Sequence, residues 1–249
     1  MKHFAPLVLF LLLSIALVFA ESEQLSLNEV LTRHTNAIGG QTALQKIRTL
    51  RIHLHISEPT FEVDGVYVAD RTGYMRIDII AGGKRVYTEG FDGKNGWQMG
   101  EDSITKDESA EGTLALQNGI YSPDRFFSLQ ELMSKGATIE LKGREKIGGI
   151  NYHVLRLNIN HSVKDLYIHP DTWLIERSRE TKATHPDIDP TPRTIETVYS
   201  DFRKVDGILR SFQDASTEIA TGKIIQSEKM QKIEANVSSD LSLYSKPSQ

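Results

Sequence analysis

Residues 65–97 read GVYVADRTGYMRIDIIAGGKRVYTEGFDGKNGW and predict a meander of antiparallel β-strands. In the segment that begins this meander, from Phe61 to Ala69, apolar or small side chains recur at every second position. A period of two is typical of a strand with one buried face. The same alternation returns after the first turn, at Met75, Ile77 and Ile79. The stretch therefore predicts one face of a large antiparallel sheet.

Glycine-containing turns separate these strands. Gly82-Gly83 fits a two-residue hairpin turn, because glycine readily adopts the positive φ angles that such turns require. Asp92-Gly93 and Asn95-Gly96 are further turn signals ahead of Trp97. No catalytic motif occurs in the stretch, so it indicates architecture and not chemistry.

Two short helices are predicted before the first strand. Ser26 and Glu29 match a capping box for a helix from residue 26 to residue 38. Gly39-Gly40 ends that helix, and a second one follows over residues 41–46. Their apolar positions fall on one side, which predicts that both helices pack on the sheet.

A further helix is predicted to start at Ser122-Pro123-Asp124, with serine as N-cap and proline in the first turn. Gly136 closes it, and residues 113–116 are a candidate start for one more helix. A helix with so wide an apolar arc needs an apolar partner, and the sheet is the only large one. The residues of that arc are Phe126, Phe127, Leu129, Leu132 and Met133.

From residue 137 onward the chain returns to strands. Turns are predicted at Gly148-Gly149, 170–172, Asp206-Gly207 and Thr221-Gly222, and a proline-rich loop covers residues 185–192. The whole chain contains about eleven strands by these signals. Few helices lie between them, so we predict a mainly β (α+β) fold with an antiparallel sheet.

The N-terminus has the pattern of a secretory signal peptide over residues 1–20. Lys2 precedes an apolar run from Leu7 to Ala20 that ends in a small residue. The alternative is an uncleaved membrane anchor, for which the run is short. Residues 21–249 are then predicted to form a single domain.

Composition excludes several classes of protein and site. The chain contains no cysteine, so it forms no disulfide and carries no lipid-modified cysteine. Its net charge is −4 and it has no basic run, which disfavours nucleic-acid binding. With 39% hydrophobic residues it can build an ordinary core.

The meander also resembles the early strands of the LolA/LolB-like family of periplasmic lipoprotein-localisation carriers. The matching positions are Gly65, Arg71, Arg76, Asp92-Gly93 and Trp97. The match departs at Thr72, where the family usually has proline, so this turn is expected to be less rigid. Later segments extend the resemblance over most of the chain: residues 167–172, 199–202, 205–208, 233–236 and 243–247.

The resemblance implies an unclosed half-barrel, in which short helices cover the concave face of one curved antiparallel sheet. In that family the cavity between sheet and helices receives acyl chains or lipoproteins. The residues predicted here to line the cavity or its lid are Tyr67, Arg71, Arg76, Ile77, Trp97, Phe126, Phe127, Leu129 and Met133.

Two roles stay open for parts of this set. The segment from Phe126 to Met133, with the loop before it, is the candidate lid, and the alternative is a permanently packed cover of the core. Arg71 and Arg76 are expected to tie the sheet to the helices or to meet a ligand headgroup, and the alternative is a solvated turn arginine.

Catalytic and metal sites receive weaker support. His53 and His55 share a strand face, and His185 lies in a loop with Asp187 and Asp189, but neither group has an evident full ligand set. A catalytic triad could be assembled from Asp165, His169 and a serine, but no G-x-S-x-G motif occurs to support it. HExxH, P-loop and GxGxxG motifs are absent as well. We therefore predict no catalytic residue, metal or cofactor.

The sequence thus predicts a periplasmic carrier of lipid or lipoprotein acyl chains, monomeric and in transient contact with membranes. Donor and acceptor proteins of the inner or outer membrane are expected partners. The alternative is an envelope scaffold that binds a protein partner through the same sheet, and a second is a hydrolase with an unrecognised site. Fold resemblance alone does not decide between these functions.

Overall fold

The computed structural model describes residues 25–248, so the predicted signal peptide at residues 1–20 lies outside the described residues. These residues form one antiparallel sheet with four short α-helices and a C-terminal 3-10 helix, Leu241–Tyr244. The α-helices are α1 Leu27–Ala37, α2 Gln41–Gln45, α3 Ala110–Ile120 and α4 Leu129–Ser134. No helix within residues 25–248 has the length and apolar character needed to span a membrane.

The first half of the chain contributes six strands, and the second half contributes seven. The first six are β1 Thr49–Glu58, β2 Phe61–Asp70, β3 Tyr74–Ala81, β4 Lys84–Phe91, β5 Gly96–Met99 and β6 Thr105–Asp107. The others are β7 Thr138–Ile147, β8 Ile150–Ile159, β9 Ser162–Ile168, β10 Ile175–Lys182, β11 Arg193–Val205, β12 Ile208–Glu218 and β13 Lys223–Ala235.

The strand order is β6-β5-β4-β3-β2-β1-β13-β12-β11-β10-β9-β8-β7. Each half is therefore a meander, and the two halves join where β1 pairs with β13 in the middle of the sheet. The edge strands β6 and β7 do not pair with each other, so the sheet stays open. This confirms the predicted fold class of a mainly β protein with a single unclosed antiparallel sheet.

The loop between β10 and β11, residues 183–192, shows that the sheet is strongly curved. Asp187 in this loop accepts a hydrogen bond from Gln98 on β5. Strands β5 and β10 are eight positions apart in the sheet, which is about 38 Å in a flat sheet. Five residues beyond Lys182, the backbone has advanced at most about 18 Å. The contact therefore requires the two halves of the sheet to bend towards each other.

The helices cover one face of the sheet, which we call the inner face. On β1 this face carries Leu50, Ile52, Leu54 and Ile56, all buried. Tyr67 and Ile77 lie on the same face, since they pair in register with Ile52 and with each other. Helix residues complete one continuous core on it: Val30, Leu31, Leu44, Leu116, Ile120, Leu129 and Leu132. Burial of this apolar area is the main force that holds helices and sheet together.

The predicted helix start at Ser122 is wrong. Residues 121–127 form turns, Asp124 adopts a left-handed φ of 64°, and the helix begins only after Ser128. Ser128 and Glu131 form the capping box there. The same S-x-x-E signal is visible in the sequence, so the N-cap serine was assigned six residues too early.

Two strands exceed the predicted count. Strands β5 and β6 are only four and three residues long, and alternation is hard to recognise over so few residues. The candidate helix start at residues 113–116 corresponds to α3, which begins at Ala110 after the N-cap Ser109.

Candidate ligand-binding cavities

One cavity on the inner face lies beneath the loop of residues 183–192. This loop cavity has a volume of about 390 Å³, within the range of small-molecule sites. Its outer wall includes His185 and Ile188. The sheet residues that line it are Ile56, Phe61, Val63, Ile79, Tyr87 and Ile225, together with the polar Glu58, Arg193 and Gln226. A hydrogen bond of 3.0 Å between His185 Nε2 and Glu58 Oε1 holds the loop near the end of β1. The cavity is thus mainly apolar on the sheet side and covered by a loop.

A second, smaller cavity lies beneath the turns at residues 121–127, next to Ile38 at the C-cap of α1. This helix cavity has a volume of about 150 Å³, similar to an engineered apolar cavity that accepts benzene. Ile52, Met230 and Ile233 form part of its apolar wall. Its polar wall is Ser122, Asp124, Arg125, Lys164, Arg210, Ser211 and Asp214.

A layer of charged side chains separates the two cavities. Glu228 lies on β13 between Met230 of the helix cavity and Gln226 of the loop cavity. It pairs in register with Asp214 on β12, so two carboxyl groups face each other. Burial and the charge of Glu228 raise the pKa of Asp214 to about 8, and burial also raises the pKa of Glu228.

Arg125 covers this carboxyl pair from the helix side. Its guanidinium lies 4.6 Å from the ring centroid of Tyr67 on β2, a cation–π contact. Its charge lowers the pKa of both Asp214 and Glu228, although burial outweighs that effect. Arg125 therefore joins the turns at residues 121–127 to the middle of the inner face.

Asp124 links the same turns to α1 and to β12. Its carboxylate is 3.0 Å from Nε2 of His34, which is fully buried on α1. Burial lowers the pKa of His34, but the neighbouring Asp124 carboxylate outweighs this and raises it. The backbone carbonyl of Asp124 accepts a hydrogen bond of 2.9 Å from Nη1 of Arg210.

Arg71 fixes the helices to the other half of the sheet. Its guanidinium donates to the carbonyl oxygens of Leu44 and Phe126 and to the carboxylate of Glu131. It also stacks 4.6 Å from the ring centroid of Phe127. One side chain at the turn between β2 and β3 thus contacts α2, α4 and the segment before α4.

Solved structures with the same architecture were found by structural comparison. No protein-family model and no curated protein sequence matches the chain. A DUF1329 family protein from Desulfovibrio piger superposes with a TM-score of 0.60 at 12% identity, over 88% of this chain and 96% of that chain. A LolA superfamily protein from Nitrosomonas europaea gives a TM-score of 0.58 at 12% identity, over 88% and 97% of the two chains.

This chain has the LolA-like fold. A structure from Vibrio parahaemolyticus, described as an outer membrane lipoprotein-sorting protein domain, agrees with a TM-score of 0.54 at 10% identity, over 86% of this chain and 94% of that chain. Identities this low establish the fold and not the activity. The sequence resemblance is therefore confirmed at the level of the fold.

Within the LolA-like fold, the predicted site residues fall into three groups. Tyr67 and Ile77 lie on the inner face. Arg76 and Trp97 lie on the outer face. Both residues are in register with Gly90, and Arg76 is also in register with Val68, the neighbour of the inner-face residue Tyr67. On the outer face, the indole nitrogen of Trp97 donates to the carbonyl oxygen of Tyr244 at 2.8 Å. Neither Arg76 nor Trp97 lines the loop cavity or the helix cavity. The third group consists of Arg71 and the helix residues. Arg71 contacts the segments that cover the inner face.

The candidate lid is mostly core in this structure. Phe126, Phe127 and Leu129 are at most 2% exposed, whereas Met133 is 41% exposed. The helix cavity is covered by the turns at residues 121–127 and the loop cavity by the loop at residues 183–192. Sequence reasoning included Phe126, Phe127 and the loop before them in the candidate lid, but it did not place the loop at residues 183–192 at the site.

Several cavity residues were missed from the sequence, above all Arg125, Arg210, Asp214 and Glu228. A signal was present, since Asp214 and Glu228 occupy strand positions where the alternation predicts apolar side chains. Their significance depends on pairing across β12 and β13, which sequence spacing does not reveal.

The histidine and carboxylate groups considered for metal binding or catalysis serve other contacts. His53 and His55 face Glu234 and Asp64 at 3.6 and 3.0 Å. The carboxylate of Asp165 forms an ion pair with Arg156 through two hydrogen bonds of 2.8 Å. Within residues 25–248, no group of three histidine or acidic side chains is placed to hold a metal ion.

The loop at residues 183–192 is docked through a carboxyl pair. Asp187 accepts hydrogen bonds from the backbone N–H of Ser109 at 2.9 Å and from Gln98 at 3.3 Å. Burial and a hydrogen bond to Asp187 raise the pKa of Glu108 to about 8, while that bond lowers the pKa of Asp187. Glu108 is therefore protonated at neutral pH and donates to the Asp187 carboxylate.

Proposed function

We propose that this protein is a carrier that binds acyl chains of a lipid or lipoprotein between the sheet and its covering segments. The observation that supports it best is the loop cavity of about 390 Å³ with its wall of Ile56, Val63 and Ile79. Each methylene moved there from water contributes about 0.8 kcal/mol. Binding of this kind needs no reactive group, and we assign no catalytic residue.

Periplasmic location and transient contact with a membrane belong to the same proposal. Four exposed apolar side chains lie at the end of the sheet where the loop cavity opens: Phe61, Ile188, Ile219 and Ile224. Their exposed fractions run from 46% to 74%. Exposed apolar side chains grouped around a cavity favour contact with a lipid surface.

Binding to a protein partner through an open sheet edge has less support. Strand β6 has three residues, and β7 carries alternating charges together with a register shift at Gly143. Short, charged or bulged edges disfavour strand addition. The scaffold hypothesis therefore stays second to the carrier.

Native mass spectrometry of the protein purified without detergent, followed by lipid extraction, tests the carrier. We expect a bound acyl species in the wild type and less of it in Ile79→Trp, which fills the loop cavity. Ile80→Trp is the matched control, because residue 80 lies next in the chain on the opposite face of β3.

Circular dichroism checks that both variants are folded. A ligand-free mass for the wild type, together with failure to take up added fatty acid, would contradict the carrier. Equal ligand loss in both variants would show that the loop cavity is not the binding site.

A further inference from the structure

Arg210 on β12 is a buried cation with free hydrogen-bond donors. Its side chain lines the helix cavity, and the residue is 9% exposed. Nη1 donates to the carbonyl oxygen of Asp124, but Nε and Nη2 have no partner within residues 25–248. Burial lowers the pKa of Arg210 to about 10, so the guanidinium remains charged at neutral pH. Buried charges are normally paired, which makes this one an exception that requires explanation.

Within residues 25–248 no carboxylate accepts a hydrogen bond from Arg210, although the charges of Asp124 and Asp206 act to raise its pKa. Lys164 forms an ion pair of 3.1 Å with Glu180, and the carboxylate of Asp124 binds His34. Asp214 is the remaining acid in the wall, and with a pKa of about 8 it is mostly uncharged at neutral pH. Arg125 is a second cation in the wall. The polar wall of the cavity therefore has an excess of positive charge.

The two free donors of Arg210 have a defined geometry. Nε–H and Nη2–H lie side by side on the planar guanidinium and point in the same direction. Such a fork matches the two oxygens of a carboxylate or phosphate, which it binds through two parallel hydrogen bonds. Ile52, Met230 and Ile233 form the apolar surface of the same cavity.

We infer that the helix cavity binds the anionic headgroup, a carboxylate or phosphate, of an amphiphile whose hydrocarbon chain contacts the apolar wall. Arg210 supplies the paired donors, and Arg125 adds positive charge. This inference rests on the proposed carrier function and specifies its class of ligand. A cavity of about 150 Å³ holds a headgroup with a short hydrocarbon segment, so single-chain probes suit the test.

Isothermal titration at pH 7 with decanoate, decyl phosphate and decanol separates the headgroup from the chain. We expect at least one of the two anions to bind about tenfold or more tighter than decanol, as hydrogen bonds to a charged group imply. Acetate and inorganic phosphate distinguish an amphiphile from a free anion, and we expect their binding to be much weaker.

Arg210→Gln should remove the preference for the anion and leave decanol binding unchanged. Arg203→Gln is the matched control, because Arg203 is an exposed arginine on β11, paired with Asp201. Arg210→Lys retains the charge without the fork and should keep only part of the preference.

A measurement on the wild type covers the case in which Arg210→Gln fails to fold. The ¹³C chemical shift of bound [1-¹³C]decanoate, followed with pH, reports the pKa of the bound carboxyl. A guanidinium partner lowers that pKa, whereas an apolar cavity raises it.

The outcomes separate the two proposals. Equal binding of decanol and both anions, or a raised carboxyl pKa, would overturn the headgroup inference and leave the carrier intact. If inorganic phosphate binds as tightly as decyl phosphate, or acetate as tightly as decanoate, the inference that the ligand is an amphiphile would be overturned. If none of the three decyl probes binds, that result would contradict the proposed carrier function and, with it, this inference.

Discussion

At the scale of single residues, Arg71 shows how much one side chain contributes to this fold. It satisfies the carbonyl oxygens of Leu44 and Phe126 and pairs with Glu131, with its side chain 10% exposed. These partners lie on α2, on α4 and in the turns at residues 121–127. Loss of the guanidinium removes the donor to the Phe126 carbonyl and the positive charge beside Glu131, whereas the Leu44 carbonyl keeps its hydrogen bond from the Ile47 N–H. A buried acceptor that loses its donor costs more than the net value of the bond.

Arg71→Ala is therefore expected to lower the free energy of unfolding by about 2–4 kcal/mol. Urea unfolding followed by circular dichroism measures the change. Lys94→Ala, at an exposed turn position, is the control and should stay within about 0.5 kcal/mol of the wild type. A decrease below 1 kcal/mol in Arg71→Ala would show that its contacts are not maintained in solution.

The carboxyl pair of Asp214 and Glu228 is the second case at this scale. The folded state raises both pKa values above those of the unfolded chain. The folded protein therefore binds more protons than the unfolded chain between about pH 4 and pH 8, and stability falls as pH rises through that window. The contribution is fully present below pH 4 and is lost as pH passes about 8.

Asp214→Asn removes one of the two titrating groups and should flatten this dependence. We expect a gain in unfolding free energy of about 1–3 kcal/mol over the wild type at pH 9, and a small difference at pH 5. Urea titrations at both pH values measure it, with the exposed Asp171→Asn as control. A variant that is less stable than the wild type at pH 9 would contradict the assignment.

At the scale of elements, the loop at residues 183–192 closes the larger cavity by docking against α3. Gly112 on α3 lies at the contact, and a Cβ atom there would come within 2.6 Å of Glu108 Oε2 and 3.0 Å of Asp187 Oδ2. Gly119 on the same helix has no atom within 4 Å of such a Cβ. The two glycines differ in surroundings while sharing a helix.

Gly119→Ala is expected to stabilise the protein by about 0.5–1 kcal/mol, because alanine favours helix. Gly112→Ala should lack this gain and should increase hydrogen exchange in residues 183–192, since the loop must move away. Thermal unfolding and hydrogen-exchange mass spectrometry measure the two effects. If Gly112→Ala stabilises as much as Gly119→Ala, the loop is not docked as described.

At the scale of the whole molecule, the pairing of β1 with β13 places hairpins that are distant in sequence at one end of the sheet. The turn before Phe61, the loop with Ile188 and the turn before Ile224 belong to strands that are far apart in sequence. They surround the opening of the loop cavity with exposed apolar side chains. A carrier needs such a surface where a lipid leaves one membrane and enters the protein.

The double variant Phe61→Ser, Ile188→Ser should slow the transfer of labelled fatty acid from donor vesicles by about tenfold, as a loss of apolar contact of this size implies. Stopped-flow fluorescence measures the rate. Leu241→Ser, in the exposed 3-10 helix that packs on β3, is the control and should leave it unchanged. An unchanged rate in the double variant would place the membrane contact elsewhere.

The sequence by itself determined the fold class, because its signals are local. Alternation over 61–79, the glycine turns and the Ser26–Glu29 capping box each depend on neighbouring residues, and all are found in the structure. The helix start at Ser122 failed, because a serine followed by proline fits a turn as well as a helix. There the competing capping box at Ser128 and the packing of Phe126 and Phe127 prevail.

Only the tertiary structure decided the site. The face to which Trp97 and Arg76 point depends on strand register, and a shift of one residue would reverse it. The free donors of Arg210 and the docking of residues 183–192 on β5 depend on how distant segments pack. The pairing of Asp214 with Glu228 depends on the register of β12 and β13, which shifts between Ser216 and Thr217. Local periodicity specifies which side chains are buried, but curvature of the sheet determines which buried side chains meet around a cavity.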